Sequence, residues 1–371
     1  MMALLDAMGQ KRAMFSLAGL RELHRAGDRS RLALLAILLL AAGSVLSLLF
    51  SVTTGASNAS FVDVIANIAG SDEALNARDR IIIFDIRMPR AILGFLVGGS
   101  LAVSGAIMQG LFRNPLADPG LVGVSSGASL GAVVIIVLAS TFAAPLYTLL
   151  GIYALPIAAF GGGLASTWLL YRIATGNGQT SVATMLLAGI ALGSLAGALT
   201  GLLIYMANDQ QLRDLTFWGM GSLAGATWAK IAAAGPIILL SFAAIPFMAR
   251  GLNAITLGEA TAFHMGVPVQ RLKNIAIVCV AAATGASVAV SGGIGFVGIV
   301  VPHVLRMSIG PDHRFLLPAS ALLGGSLLIF ADVLARTIVA PAELPIGIIT
   351  AAVGGPFFLW ILLRHRARLA L

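Results

Sequence analysis

Residues 250–273 read RGLNAITLGEATAFHMGVPVQRLK, and their reading decides how the rest of the chain is laid out. Long apolar segments stand on both sides. The stretch carries Arg250, Glu259, His264, Arg271 and Lys273, and its middle fits two short helices joined at Gly266-Val267-Pro268. A charged, helix-forming insert between membrane spans must lie in water, because hydrocarbon solvates neither charge nor open backbone. Such an insert suits the place where a separate soluble subunit pushes on a membrane part. A plain solvated connector fits the same residues equally well.

Composition supports the membrane setting. Of 371 residues, 58% are hydrophobic and 10% are charged, whereas a soluble globular chain carries roughly a quarter charged residues. The chain reads as an all-α, polytopic membrane protein. Its 43 glycines suit close helix packing in lipid. The one cysteine, Cys279, lies inside an apolar run, so no intrachain disulfide can form. The net charge of +8 does not point to nucleic acid, because the basic residues stand at the ends of apolar segments as topology signals do. No cleavable signal peptide is evident.

Working outward, residues 1–31 form a basic arm, and 32–371 form a single transmembrane domain with a cytoplasmic loop at about 251–268. Ten spans are expected, near 32–52, 91–112, 121–141, 147–171, 181–206, 231–249, 274–291, 296–305, 315–334 and 346–363. The first polar loop, 53–90, faces outward, and 208–230 forms an outer loop with a short amphipathic helix. With the N-terminus inside, both termini are cytoplasmic and most Lys and Arg fall inside. Arg78, Arg80, Arg87 and Arg90 break that rule.

Enzyme chemistry finds no support. The chain has no phosphate-binding loop, no His-Glu-x-x-His and no nucleophile elbow. Its five histidines fall in or beside inner loops, as solvated polar residues rather than metal ligands. The span interiors are nearly free of charge, so a proton-coupled relay is not expected. A transporter of this kind draws its energy from another polypeptide. Outward-facing Arg87, Arg90 and Arg336 suggest an anionic partner. Snorkelling arginines and an i,i+4 pair between Asp332 and Arg336 would explain them as well. Asn114-Pro115-Leu116-Ala117-Asp118-Pro119 makes a rigid inner elbow that suits a gate or an ordinary turn.

Together, several stretches resemble the iron-chelate and cobalamin uptake permeases of bacterial ABC importers. They include RMPRAILGFLVGGSLAVSGAIMQGLFRNPLADPG from Arg87, WGMGSLAGATW from Trp218, TLGEATAFHMGV from Thr256, GGIGFVGIVVPH from Gly292 and PAELPIGIITAAVGGPFF from Pro341. The resemblance implies the ten-helix fold of the type II importers, in a multi-pass protein of the bacterial inner membrane. It also implies a second permease copy, a cytoplasmic ATPase dimer that binds the ATP, and a periplasmic binding protein. It places Arg87, Arg90 and Arg336 against glutamates of that binding protein. Thr256, Leu257, Gly258, Glu259, His264 and Gly266 are placed in the coupling segment on the ATPase, and Asn114, Leu116 and Ser181 at the cytoplasmic gate. Residues 208–218 and 259–264 are similar to the haem-uptake subgroup, with ferric siderophore and cobalamin as alternatives. Haem here is cargo, with no covalently bound cofactor expected. A self-sufficient secondary carrier or channel is the rival of another class.

Overall fold

The computed structural model describes residues 29–54, 76–138, 144–176 and 179–369. Most of the basic arm, and residues 55–75 of the first polar loop, lie outside the described residues. The described chain is helical except for turns and a small hairpin pairing Thr175–Gly176 with Gln179–Thr180.

The long helices in order are α1 (Ser30–Thr53), α2 (Met88–Leu111), α3 (Val124–Leu138), α4 (Ala154–Ala174) and α5 (Val182–Met206). A short α6 (Asp209–Gly219) precedes α7 (Trp228–Ala243) and α8 (Ile245–Thr256). Then come α9 (Glu259–His264), α10 (Val269–Ser291), α11 (Val297–Ile309), α12 (His313–Thr337) and α13 (Ile346–Leu369). Among the described residues six helices are long and apolar enough to cross a membrane, and α7 with α8, bent by 51°, makes a seventh when the pair is taken as one span. The shorter apolar helices Val124–Leu138, Val297–Ile309 and Ile346–Ile361 complete the ten expected segments.

Several boundaries differ from the sequence reading, each for a local reason. The second span does not start at 91. A helix from Ala77 runs through a π-helical stretch, Ile82–Arg87, into α2, so Arg87 and Arg90 sit within a helix. The sixth span breaks after Ala244, because Pro246 in the first turn of α8 has no N–H to continue the ladder. The polar insert holds one short helix rather than two. Gly258 (φ 115°) and Gly266 (φ 81°) bracket α9 in backbone conformations closed to most side chains, and the second expected helix is the start of α10. Arg306 lies inside α11, not in a loop, and α12 already begins at His313.

Helix α2 is the axis of the bundle, with 83% of its apolar window buried. It packs on α12, α10, α11 and α7. Contact is backbone to backbone: a Cβ on Gly98 would fall 2.3 Å from the Gly324 carbonyl oxygen, and one on Gly105 would fall 1.9 Å from that of Gly298. In lipid, where apolar surface gains little by leaving other apolar surface, such close approach is what holds helices together. At the other extreme, α5 buries only 11% of its window.

Candidate functional site

The polar groups gather at the two ends of the bundle, marked by Arg90 and by Glu259. At the first, α2, α12 and the turn before α13 converge. Arg90 is buried and doubly held. Its Nε donates to both Asp332 carboxylate oxygens at 2.9 and 3.0 Å, and its Nη1 donates to Glu343 at 2.9 and 3.0 Å. Asp332 is itself buried, and Arg336 stands 3.7 Å from it one turn further along α12. Arg336 donates through Nη2 to the Ser51 carbonyl (2.7 Å) and hydroxyl (2.9 Å). Arg87 is buried as well and donates to the carbonyls of Val52 and Thr53 at 3.1 and 3.3 Å. Arg87, Arg90 and Arg336, expected at an outer surface as contacts for a partner, are engaged within the chain itself. All three fasten α1, α2 and α12 from within, because a guanidinium withdrawn from water must find acceptors inside the fold.

At the other end, Gly258 turns the chain from α8 into α9, whose Ala262 is buried in the core. Thr256, His264 and Gly266 are exposed. Leu257, Phe263 and Met265 are exposed too, at 65%, 69% and 60%. Three bare apolar side chains on the polar end of a bundle are the anchors expected of a docking surface. Of these the sequence reading singled out only Leu257. Glu259 points the other way. Its carboxylate accepts from the buried Lys273 Nζ at 2.7 Å, and the same Nζ donates to the Thr180 carbonyl at 3.0 Å. Gln270 holds Thr180 a second time, accepting from its N–H (3.0 Å) and donating to its hydroxyl (2.6 Å). The insert is thus tied to the residue before Ser181.

Ser181 is the N-cap of α5, its Oγ accepting from the Thr184 N–H at 3.2 Å. Asn114, exposed, uses its side-chain oxygen to accept from Leu116 N–H at 3.0 Å, which fixes the elbow after α2. The turn that follows, Pro119–Val122, lies against α5. The elbow and the start of α5 are therefore connected through that turn.

The histidines need one correction. His264 is exposed as expected, but His313 is buried in the first turn of α12. Its ring Nδ1 meets the Asn253 side-chain oxygen at 2.8 Å, which also accepts from the His313 backbone N–H at 2.9 Å. Asn253 in turn donates to Asp312 at 2.7 Å. Asp312 caps α12 and pairs with Arg314. Partial burial pushes its carboxyl up, but the hydrogen bonds from Arg314 and Asn253 outweigh that and hold it at about 2. Among the described residues no group of three or more His, Cys, Asp or Glu could hold a metal ion.

Residues 39–364 match the FecCD transport family. The chain is 50% identical over 282 residues to the hemin transport system permease protein HmuU of Yersinia pestis, covering 76% of this chain and 83% of that protein. It is 44% identical over 289 residues to the cobalamin import system permease protein BtuC of Halobacterium salinarum, covering 78% and 75%. It is also 41% identical over 292 residues to a vitamin B12 import system permease protein BtuC of Escherichia coli, covering 78% and 86%. Among solved structures, the inward-facing conformation of a metal-chelate type ABC transporter aligns with a TM-score of 0.76 at 30% identity, covering 88% of this chain and 98% of that one.

Proposed function

This chain belongs to the FecCD transport family, as a multi-pass membrane permease subunit of an ABC importer, and from that premise we propose that its cargo is haem and that a separate ATPase drives it. The likeness to a hemin permease at 50% identity supports haem over cobalamin, for which the likeness stands at 44% and 41%. A ferric siderophore is the remaining reading.

One observation carries the mechanism: the helix with the exposed apolar anchors is tied through Lys273 to the start of the least buried span. An ATPase dimer seated on Leu257, Phe263 and Met265 moves α9 when it binds ATP. Glu259 draws on Lys273, Lys273 draws on Thr180, and α5 follows from Ser181. The elbow at Asn114 and Leu116 lies next to that motion and acts as the gate. Helix α5 has room to shift. Nothing lies within 4 Å of a Cβ built on Gly197 or Gly201, so this face lines a path or meets a second permease copy. The Glu259 end is cytoplasmic in this reading, and Arg29 and Arg314 line one pocket there with Thr256, as topology requires. The Arg90 end then faces the periplasm. Exposed Arg78, nearby in sequence, offers acidic groups of a binding protein a docking contact. Arg90 is committed to Asp332 and Glu343, so its part in docking is to hold that surface in shape.

The test is ATP hydrolysis by the reconstituted complex, compared across haem, a ferric siderophore and cobalamin. Haem should stimulate most. Removing the Phe263 ring by Phe263→Ala should weaken capture of the ATPase roughly tenfold or more while the permease stays folded. Uptake against a gradient by this chain alone in vesicles would overturn the reading in favour of a secondary carrier.

A further inference from the structure

A cavity of about 720 Å³ opens at the Arg90 end. It lies between α6, the first turn of α7, the Gly292 turn and residues 343–345. Its wall is aromatic at Tyr153, Phe217 and Trp218 and carries the hydroxyls of Ser222 and Thr227. Two charged side chains line it, Glu343 and Lys230. Glu343 is already spent on Arg90, at 2.9 Å.

Lys230 has no such partner. No carboxylate among the described residues pairs with it, and its side chain is partly buried. It stands in the first turn of α7, capped by Thr227. A helix N-terminus is the positive end of the backbone dipole, so a lysine there is destabilising. Gly225 makes room for it: a Cβ at that position would stand 3.2 Å from Nζ. A half-buried cation, set at the wrong end of a helix and facing a cavity, lacks any reason in folding.

We infer that this cavity receives the transported ligand, with Lys230 taking an anionic carboxylate of the ligand and the aromatic wall taking its apolar body. The inference rests on the permease reading and deepens it, by assigning the cargo to flat, apolar chelates that carry carboxylates. A charged hydrogen bond in a partly dry site contributes enough to orient such a ligand, yet one such bond does not trap it.

The experiment uses the full complex in nanodiscs and follows quenching of tryptophan fluorescence, Trp218 lying in the cavity wall. The probes are haem, haem dimethyl ester (its carboxylates capped) and cobalamin. Lys230→Gln should raise the half-saturating haem concentration roughly tenfold and leave the ester unchanged. Lys230→Arg should stay within about twofold of the parent. Lys230→Met, which keeps the apolar stem, gives the same reading if the Gln variant does not fold. Equal weakening for haem and its ester overturns the inference. So does no change for either, the result of a lysine that merely snorkels. If the parent binds another carboxylate-bearing chelate in place of haem, the haem reading falls, and Lys230 stands or falls on that chelate. If it binds only carboxylate-free cobalamin, both fall.

Discussion

Helices α2 and α5 are alike as sequences, two dozen residues each, apolar, rich in glycine and free of charge beyond the first turn. In the folded chain they have opposite situations. Helix α2 is 83% buried and meets its neighbours through bare backbone, and α5 is 11% buried. Glycines of α2 such as Gly98 and Gly105 are needed for contact, while Gly197 and Gly201 of α5 have open space where a Cβ would stand. Apolarity puts a helix into the membrane but does not say where in the bundle it stands. The difference sorts the spans into a central axis and a peripheral wall, and the start of that wall is held by Lys273 and Gln270 through Thr180.

That contrast can be broken most sharply by one substitution on each helix. Gly98→Leu forces side-chain atoms into the Gly324 backbone and should cost at least ~3 kcal/mol, read as loss of the monodisperse species in detergent. Gly197→Leu should leave the elution profile intact, within about 0.5 kcal/mol, with any effect confined to transport or to association of copies. Equal loss from both would erase the distinction. Next in size, Arg90→Ala leaves buried Asp332 with only the longer 3.7 Å contact to Arg336 and should cost roughly 3 kcal/mol in a denaturation midpoint, while exposed Arg78→Ala costs almost nothing.

Lys273→Met sharpens the tether itself. Glu259 is partly exposed and can turn to water, so stability should fall by only about 1 kcal/mol. Uptake by the full complex should nevertheless drop more than about tenfold, with ATP hydrolysis persisting, and unimpaired uptake would remove Lys273 from the coupling path. The smallest effect is expected at Asp312. Its carboxyl sits at about 2 in the folded chain, below the ordinary 3.8, so its contribution is complete above the ordinary value and is lost as pH falls toward 2. A stability profile of the parent should decline across that window, and Asp312→Asn should be flatter there.

The residues that could be read in advance were those whose behaviour is local. Asn208, with Gln211 three residues on, forms a capping box that starts α6 within the outer loop where an amphipathic helix was expected. Pro268 stops the polar insert where a Gly-Val-Pro break was expected, though the helix beyond it proved to be a span. The arginines could not be read this way. Arg90 finds Asp332 at a separation of 242 residues, and no pattern around Arg90 announces it. The same holds for Glu259, whose pairing with Lys273 no local pattern announces. Phe263 and Met265 were passed over because apolar residues in a mostly apolar chain draw no attention until their exposure is known.

Composition and spacing alone determined that this protein is helical, carries about ten apolar segments and interrupts them with a polar insert. Those are properties of each segment against lipid and water, and they need no neighbour. Only the tertiary structure decided which span is the axis, which charges are internal fasteners and which lysine faces an open cavity. Between equally apolar helices lipid sets no preference, so position follows from where backbones can close on one another and where each charge finds its counterpart.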